Sequence, residues 1–445
     1  MLSYEEAIGV LYSHIYKGLS TDERARLDAG RPDRARALLR ELGEPQLRYP
    51  TIHVTGTKGK GSTAIMIAAM LQAAGLRIGV MTSPHLQDIR ERMQIDRAMI
   101  SKDEFAARVT ALIPLFDAHA DSGFPEVMNA LTFHYFADEK VDAAVIEVGV
   151  GGRLDATNVL QPEAVVFTSI SYDHMHLLGN TLAEIATEKA ALIKPGSAAI
   201  SAPQADEVVA VLDSVARSQA VPLQVIGRDI RFREGAASRD GQAFTVADEE
   251  YRTALIGTHQ AANGATAVGA VEVLRARGFN VPREAMRVGL ASAFWPGRLE
   301  VLPGDPLILL DGAHNGESAL RLCEALKALF PERPRVVVFA AKENKDVAAT
   351  LRGILPAADV LILTRSADQI TQPPEVLAPY VLQAGFTGFM VVQPDLSVAL
   401  RNARTLAAPR GLICVTGSLY LIGEARTLLA LEPNRPAPPG YSFPL

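Results

Sequence analysis

Thr51-Ile52-His53-Val54-Thr55-Gly56-Thr57-Lys58-Gly59-Lys60-Gly61-Ser62-Thr63 runs from a β-prone segment, through a glycine-rich turn, into an apolar helical pattern over Ala64 to Ala74. Strand, glycine loop and helix in that order make the context a phosphate-binding loop requires. Glycines let backbone N–H groups curl around an anion, and the helix N-terminus adds partial positive charge. Lys60 supplies a full one, so Gly56, Thr57, Lys58, Gly59, Lys60, Gly61 and Ser62 are the candidate nucleotide contacts. The usual loop places Ser or Thr directly after the lysine to hold Mg²⁺. Here Gly61 stands there, and the hydroxyl must come from Ser62 or from elsewhere.

Working outward, a chain of 445 residues has room for two or three domains of roughly 100–200 residues. Hydrophobic content of 48% with 21% charged residues predicts a buried core and argues against global disorder. The net charge of −6 gives no reason to expect a nucleic-acid or membrane partner. Cys323 and Cys414 each fall inside a regular pattern and read as lone buried thiols, with no disulfide framework or zinc site. The acidic start, Met1-Leu2-Ser3-Tyr4-Glu5-Glu6, is no signal peptide, and no apolar run approaches the ~20 residues of a membrane span. A cytoplasmic protein is expected, acting as a monomer.

Polar clusters gather where buried strands end. Arg77–Met81 leads into Thr82-Ser83-Pro84-His85-Leu86, and the following Asp88 to Ile95 segment, with Arg90, Glu91 and Arg92, is expected to line the same crevice. Val141–Val148 is nearly continuously apolar, as buried parallel strands are. It carries Glu147 and ends in Gly149-Val150-Gly151-Gly152-Arg153-Leu154-Asp155-Ala156-Thr157-Asn158. Ala164–Ile170 ends in Ser171-Tyr172-Asp173-His174. In open α/β sheets ligands collect at such carboxyl ends. Hydroxyl, carboxylate and imidazole at Ser83, Glu147 and His174 are plausible company for a nucleotide-bound Mg²⁺, which prefers oxygen and few protein ligands.

Elsewhere Tyr4, Ile8, Leu11 and Ile15 suggest one helical face, Thr181 reads as the N-cap of a helix reaching Lys194, and Ala198 to Leu255 reads as β-rich. His259 opens an alanine-rich helix. Residues 294–304, with a Pro-Gly break near each end, read as a connector. A second strand–helix alternation follows, with Asp311-Gly312-Ala313-His314-Asn315 and Thr416-Gly417-Ser418 at strand ends. The tail after Pro433 reads as loosely held. The predicted architecture is α/β: a P-loop ATPase domain (1–293) around a mostly parallel sheet, the connector 294–304, and a smaller Rossmann-like α/β domain (305–445).

Taken together, these motifs resemble those of folylpolyglutamate synthase, often also a dihydrofolate synthase, in the Mur ligase superfamily. The matching pieces include Thr55–Ser62, Thr82–Leu86, Glu147–Asn158, Tyr172–His174, Glu188-Lys189-Ala190, His259–Asn263, Pro296–Glu300, Asp311–Asn315 and Gly417–Leu421. The resemblance implies that ATP phosphorylates a carboxylate and that the glutamate amine displaces phosphate from the acyl phosphate. It implies two magnesium ions, one on Ser83 and Glu147 and one on Glu147 and His174, with Ser83 replacing the hydroxyl missing at Gly61. It further implies a carbamylated Lys189, ATP contacts from Asn263, Arg298 and Asp311, and L-glutamate held by His314 and Ser418. Leu154, Asp155 and Ala156 match positions around the pterin of a folate or dihydropteroate. Without the resemblance, Lys189 reads as a helix-surface lysine paired with Glu184 or Glu188. Arg92 either meets a glutamate carboxylate or belongs to a solvated Glu91–Arg92 surface. The family's pterin segment commonly reads Phe-Glu with Thr three residues later; here Pro125 and Asn129 depart from it. The rivals are another Mur-type amino-acid ligase and a nucleotide-dependent switch without ligase chemistry.

Overall fold

The strand that feeds the glycine loop, β1 (Thr51–Thr55), sits inside the larger of two parallel-rich sheets. Ile52 and Val54 face one core, and the intervening His53, fully buried, turns to the opposite side. The structure, a computed structural model, describes residues 1–16, 27–343, 345–367, 371–438 and 441–444. The other strands of this sheet are β2 (Ile78–Met81), β3 (Met93–Ile95), β4 (Ala98–Met99), β5 (Ala143–Glu147), β6 (Ala164–Phe167), β7 (Ala198–Ser201) and β8 (Leu223–Val225). Their order is β4-β3-β2-β5-β1-β6-β7-β8. β3 and β4 form an antiparallel edge; the rest run parallel. β1, β2, β5 and β6 therefore end side by side at one rim, where the polar loops emerge.

Helices cover both faces, as a parallel sheet requires. Lys60–Ala73, His259–Ala276 and Arg283–Ala291 pack on one side, against Val80, Val145 and Val166. Tyr4–Ser13, Arg31–Glu41, Lys102–Ala118 and Phe124–Asp138 pack on the other, against Ala144 and Ile146. A small antiparallel sheet of β9 (Phe232–Ser238), β10 (Gly241–Val246) and β11 (Glu249–Thr253) adds Phe244, Val246 and Tyr251 to the core of the first helix group.

The second large sheet has the order β12-β13-β17-β14-β15-β16, from β12 (Glu300–Leu302), β13 (Leu307–Asp311), β14 (Arg335–Phe339), β15 (Val360–Leu363), β16 (Phe389–Val392) and β17 (Leu412–Thr416). All but β12 are parallel. Asp311 and Ser418 thus stand at the ends of adjacent strands. The two sheets meet through the Leu86–Gln87 loop. The Leu86 carbonyl occupies the space a Cβ on Gly423 would need, so only glycine lets the last helix, Leu419–Leu428, approach this closely. Next to it the fully buried Arg426 pairs with Glu300 of β12, and its Nε donates to Gln87 Oε1 at 2.7 Å.

Several sequence expectations change. Of the expected face Leu11 is buried, beside Ala7, but Ile15 is exposed because the first helix ends at Ser13. The capping box at Thr181 is present, but its helix stops at Ala190. Lys194 lies beyond it, donating Nζ to the carbonyl of Asn158 at 3.0 Å. The supposedly β-rich stretch contains the helix Asp206–Ser218. Part of the connector is not a linker, since Glu300–Leu302 pairs antiparallel with β13. The tail is not loose either: Ala437, Tyr441 and Phe443 pack on the core of the second sheet, and Tyr441 Oη donates to Leu429 O at 3.0 Å. Both cysteines are buried free thiols, as the sequence suggests.

Candidate active site

The glycine loop wraps the start of the helix Lys60–Ala73. The N–H groups of Thr57 and Lys58 are taken by Ser169 O at 2.8 and 3.2 Å. The first intrahelical bond is Thr63 N to Gly59 O at 2.8 Å, so the N–H groups of Lys60, Gly61 and Ser62 precede the helical ladder. These three donors, with the Lys60 ammonium and the helix dipole, form an anion cradle. Lys60 Nζ makes a weak 3.4 Å contact with Thr57 O. The Trp295 indole explains the glycine after the lysine: a Cβ on Gly61 would stand 3.0 Å from its ring. Asn263 lies over Gly59, with its Nδ2 donating to Gln260 Oε1 at 2.9 Å. Lys58 leaves the loop and pairs with Glu317 at 2.5 Å on the first turn of the second domain's helix Gly316–Leu329.

Lys189 is not a surface lysine. Glu188 pairs with Arg153 at 2.8 Å and Glu184 caps its own helix, whereas Lys189 is 2% exposed and donates Nζ to Gly56 O at 3.0 Å. Desolvation, then the Lys60 charge, lowers its pKa to about 7 despite the nearby Asp155, Asp173 and Glu188. Gly56, Thr57, Lys60, Asp173, His174 and Lys189 line one depression together with Gly149–Gly151.

A second cleft, of about 270 Å³, shares the Gly149–Val150 wall with the first and is lined by Ser83, Arg92, Phe124, Met128, Asn129, Glu147, Asp155 and Ala156. Leu154 is half-buried and does not line it. Glu147, 5% exposed, accepts the Ser83 N–H at 2.9 Å. Burial pushes its carboxyl up although Lys60, Arg298 and Arg92 all pull it down. Arg92 is half-buried, with its Nε donating to His85 Nδ1 at 2.9 Å and its guanidinium 5.3 Å from the Phe124 ring centroid. The solvated Glu91–Arg92 alternative does not hold. Glu91 is buried and accepts the N–H groups of Leu86, Gln87 and Asp88. His174 stands on the other depression, in an exposed left-handed position. Among the described residues no three His, Cys, Asp or Glu side chains are grouped to hold a metal.

From the second domain, Asp311 accepts the N–H groups of Leu299 and Ala313 at 2.9 Å each, fixing the turn that carries Arg298. Burial raises the Asp311 carboxyl even though Arg298 is nearby. Arg298 is also close enough to Glu147 to act on its charge, so both domains contribute to one field. The His314 pKa falls to about 4, mainly from burial, and its Nδ1 lies 2.8 Å from Gly312 O, so the ring is neutral at physiological pH. Ser418, 2% exposed, caps the last helix by accepting the Tyr420 N–H at 3.3 Å. His53, Thr157, Trp295 and Glu317 were not legible as site residues from the sequence; each is placed by a partner distant along the chain.

A cation-lined anion cradle sharing a wall with a second cleft, with Glu317 paired to its Lys58 and the Arg298 charge reaching Glu147, is the arrangement an ATP-dependent amide-forming ligase requires. Residues 54–271 match the Mur ligase middle domain, and residues 297–419 match the Mur ligase glutamate ligase domain. The chain is 35% identical to the dihydrofolate synthase/folylpolyglutamate synthase of Bacillus subtilis (strain 168), over 89% of this chain and 94% of that protein. The structure of Mycobacterium tuberculosis folylpolyglutamate synthase complexed with ADP matches with a TM-score of 0.86 at 31% identity, covering 97% and 99% of the two chains. E. coli FolC in complex with DHPP and ADP matches with a TM-score of 0.83 at 26% identity, covering 96% and 98%. The protein belongs to the folylpolyglutamate synthase/dihydrofolate synthase family of Mur ligases. No helix among the described residues is long and apolar enough to cross a membrane.

Proposed function

We propose that the protein joins L-glutamate to the carboxylate of a folate at the expense of ATP, through an acyl phosphate. The observation that carries this reading is the wall, Gly149–Val150, shared by the nucleotide depression and the second cleft. A carboxylate in the cleft can there meet the γ-phosphate of a nucleotide on the glycine loop. Its oxygen attacks phosphorus and ADP leaves; the glutamate amine then attacks the acyl carbon and phosphate leaves. The first step brings two anions together, so positive charge must be in place beforehand. Lys60 supplies it from the loop and Arg298 from the connector, whose turn Asp311 of the second domain fixes, which makes domain closure part of assembling the site.

Ser83 and Glu147 fit a magnesium ion. Both side chains carry oxygen and line the same cleft, the Ser83 N–H holds the Glu147 carboxylate, and the under-compensated burial of Glu147 is the setting a divalent cation relieves. Bound there, the ion would neutralise phosphate charge. A second ion on Glu147 and His174 would need phosphate or water oxygens as well, because these two side chains line different depressions. Lys189, at a pKa of about 7 inside the nucleotide depression, suits carbamylation: a neutral amine adds CO₂ and releases a proton, and the carbamate N–H can still donate to Gly56 O. Asn263 and Asp311 are assigned to ATP, Ala156 to the pterin side, and Arg92, His314 and Ser418 to glutamate; Asp155 lines the same cleft, but its carboxylate is taken up by N–H and O–H groups of the chain itself. The assigned units are 1–293 and 305–445, acting as a cytoplasmic monomer.

The deciding experiment is phosphate release from ATP with Mg²⁺ and glutamate, comparing tetrahydrofolate with dihydropteroate. Release with both makes the enzyme bifunctional despite Pro125 and Asn129; release with tetrahydrofolate alone makes it a polyglutamate synthase. Release with neither ends the folate assignment. His314→Ala is expected to raise the KM for glutamate about tenfold, as loss of one hydrogen bond to a charged group would, with ATP affinity near normal. An unchanged glutamate KM would remove His314 from that subsite.

A further inference from the structure

The wall between the two pockets is held from behind by a chain of buried side chains that ends on the strand feeding the glycine loop. Asp155 Oδ2 accepts the N–H groups of Gly149 and Val150 at 3.1 and 3.2 Å. Its Oδ1 accepts the Thr157 N–H at 2.9 Å and the Thr157 hydroxyl at 2.5 Å. Four donors fill the four lone-pair directions of the carboxylate. Since Thr157 gives its proton to Asp155, only lone pairs remain on its oxygen. His53 Nε2, at 2.8 Å, must therefore carry the proton and donate. His53 is fully buried, Asp155 is 7% exposed and Thr157 is 2% exposed. Burial keeps the imidazole neutral, with the Lys194 charge adding to the effect, so this donor tautomer persists at working pH.

We propose that His53 and Thr157 are positioning residues for phosphoryl transfer, locking Asp155 so that the Gly149–Val150 wall holds the acceptor carboxylate against the nucleotide. β1 carries His53 and runs directly into the glycine loop, so one strand sets both reacting partners. Asp155 serves in this arrangement as the pin of the wall, its oxygens already spent on the chain's own N–H and O–H groups. Reacting groups held in line are sensitive to displacement: a 1 Å misplacement is enough to cost roughly 100-fold in rate.

The inference rests on the folate-ligase reading above. The test compares Thr157→Val, Thr157→Ser, His53→Leu and His53→Gln with wild type, measuring kcat, the separate KM values for ATP and tetrahydrofolate, and thermal unfolding. Thr157→Val keeps the side chain's shape and the backbone N–H to Asp155 but removes the hydroxyl link. It is expected to lower kcat roughly 10- to 100-fold and to raise the acceptor KM, leaving the ATP KM unchanged. Thr157→Ser and His53→Gln, which keep a hydroxyl and an N–H donor, are expected to recover most of the rate. His53→Leu combined with Thr157→Val is expected to do no more damage than either alone, because both cut the same chain. Wild-type kcat in Thr157→Val overturns the proposal, as does a lowered unfolding temperature with unaltered kcat or an equal loss in Thr157→Ser. A wild-type enzyme inert toward both folates overturns the acceptor assignment and the relay with it; an active wild type matched by Thr157→Val overturns the relay alone.

Discussion

Lys60→Met is expected to lower phosphate release roughly 100- to 1000-fold, the loss seen when a preorganised electrostatic group is taken from a developing anionic transition state. Methionine keeps most of the length of the stem and removes the charge. The N–H groups of Lys60, Gly61 and Ser62 survive the change, as does the helix dipole, so ATP should still bind, though more weakly. The kcat should fall further than ATP affinity, because the lysine matters most when acceptor carboxylate and phosphate approach each other. It also stands among the cations that oppose the upward push of burial on Glu147, and its removal leaves that carboxyl less readily ionised. Parallel titrations of ATP binding and steady-state turnover would check this; a wild-type kcat in the variant would take the charge out of the mechanism.

Lys189→Ala is expected to cost about 100-fold or more in kcat if the lysine acts as a carbamate near the phosphates. A short carboxylic acid such as acetate should restore part of it by placing an oxygen anion in the space left behind. The sign of the pH response separates the two chemical forms. With a pKa lowered to about 7, the amine is ammonium below that value and neutral above it. Only the neutral form adds CO₂, so carbamate-dependent activity should climb as pH rises through about 7 and fall in CO₂-depleted buffer. A lysine working as a cation would give the reverse trend, with rescue by amines instead. Rate measurements across pH 6–8, with and without bicarbonate, distinguish the two.

The architecture was legible because its signals are local. Glycines beside Lys60, apolar runs at β1, β5 and β17, and polar residues just past each strand all lie within short windows. What escaped had a competing or distant cause. The helix Asp206–Ser218 contains four valines, which favour strands, yet Val208, Leu212 and Ala216 recur at helical spacing and are its buried residues. Here burial on one face overrides propensity. The apolar face drawn through Ile15 extended a helical period past the point where the chain stops being helical. Within the site, Ser83 and Glu147 could be paired by strand-end logic because β2 and β5 are neighbours in the sheet. The reason for Gly61 could not be read locally, since Trp295 lies far along the chain. Asp155 looked like a substrate contact from its motif; only the hydrogen-bond geometry reveals how fully the chain itself uses it.

Trp295 is the one tryptophan in the chain, and it is parked against the loop that wraps the triphosphate. The protein therefore carries its single indole fluorophore at its nucleotide site. Its intrinsic fluorescence should respond when ATP fills the loop, in unlabelled protein and on the timescale of mixing. A Trp295→Phe variant should lose that signal. Nucleotide arrival could then be timed separately from the slower release of phosphate, which would place acceptor binding before or after ATP in the reaction order.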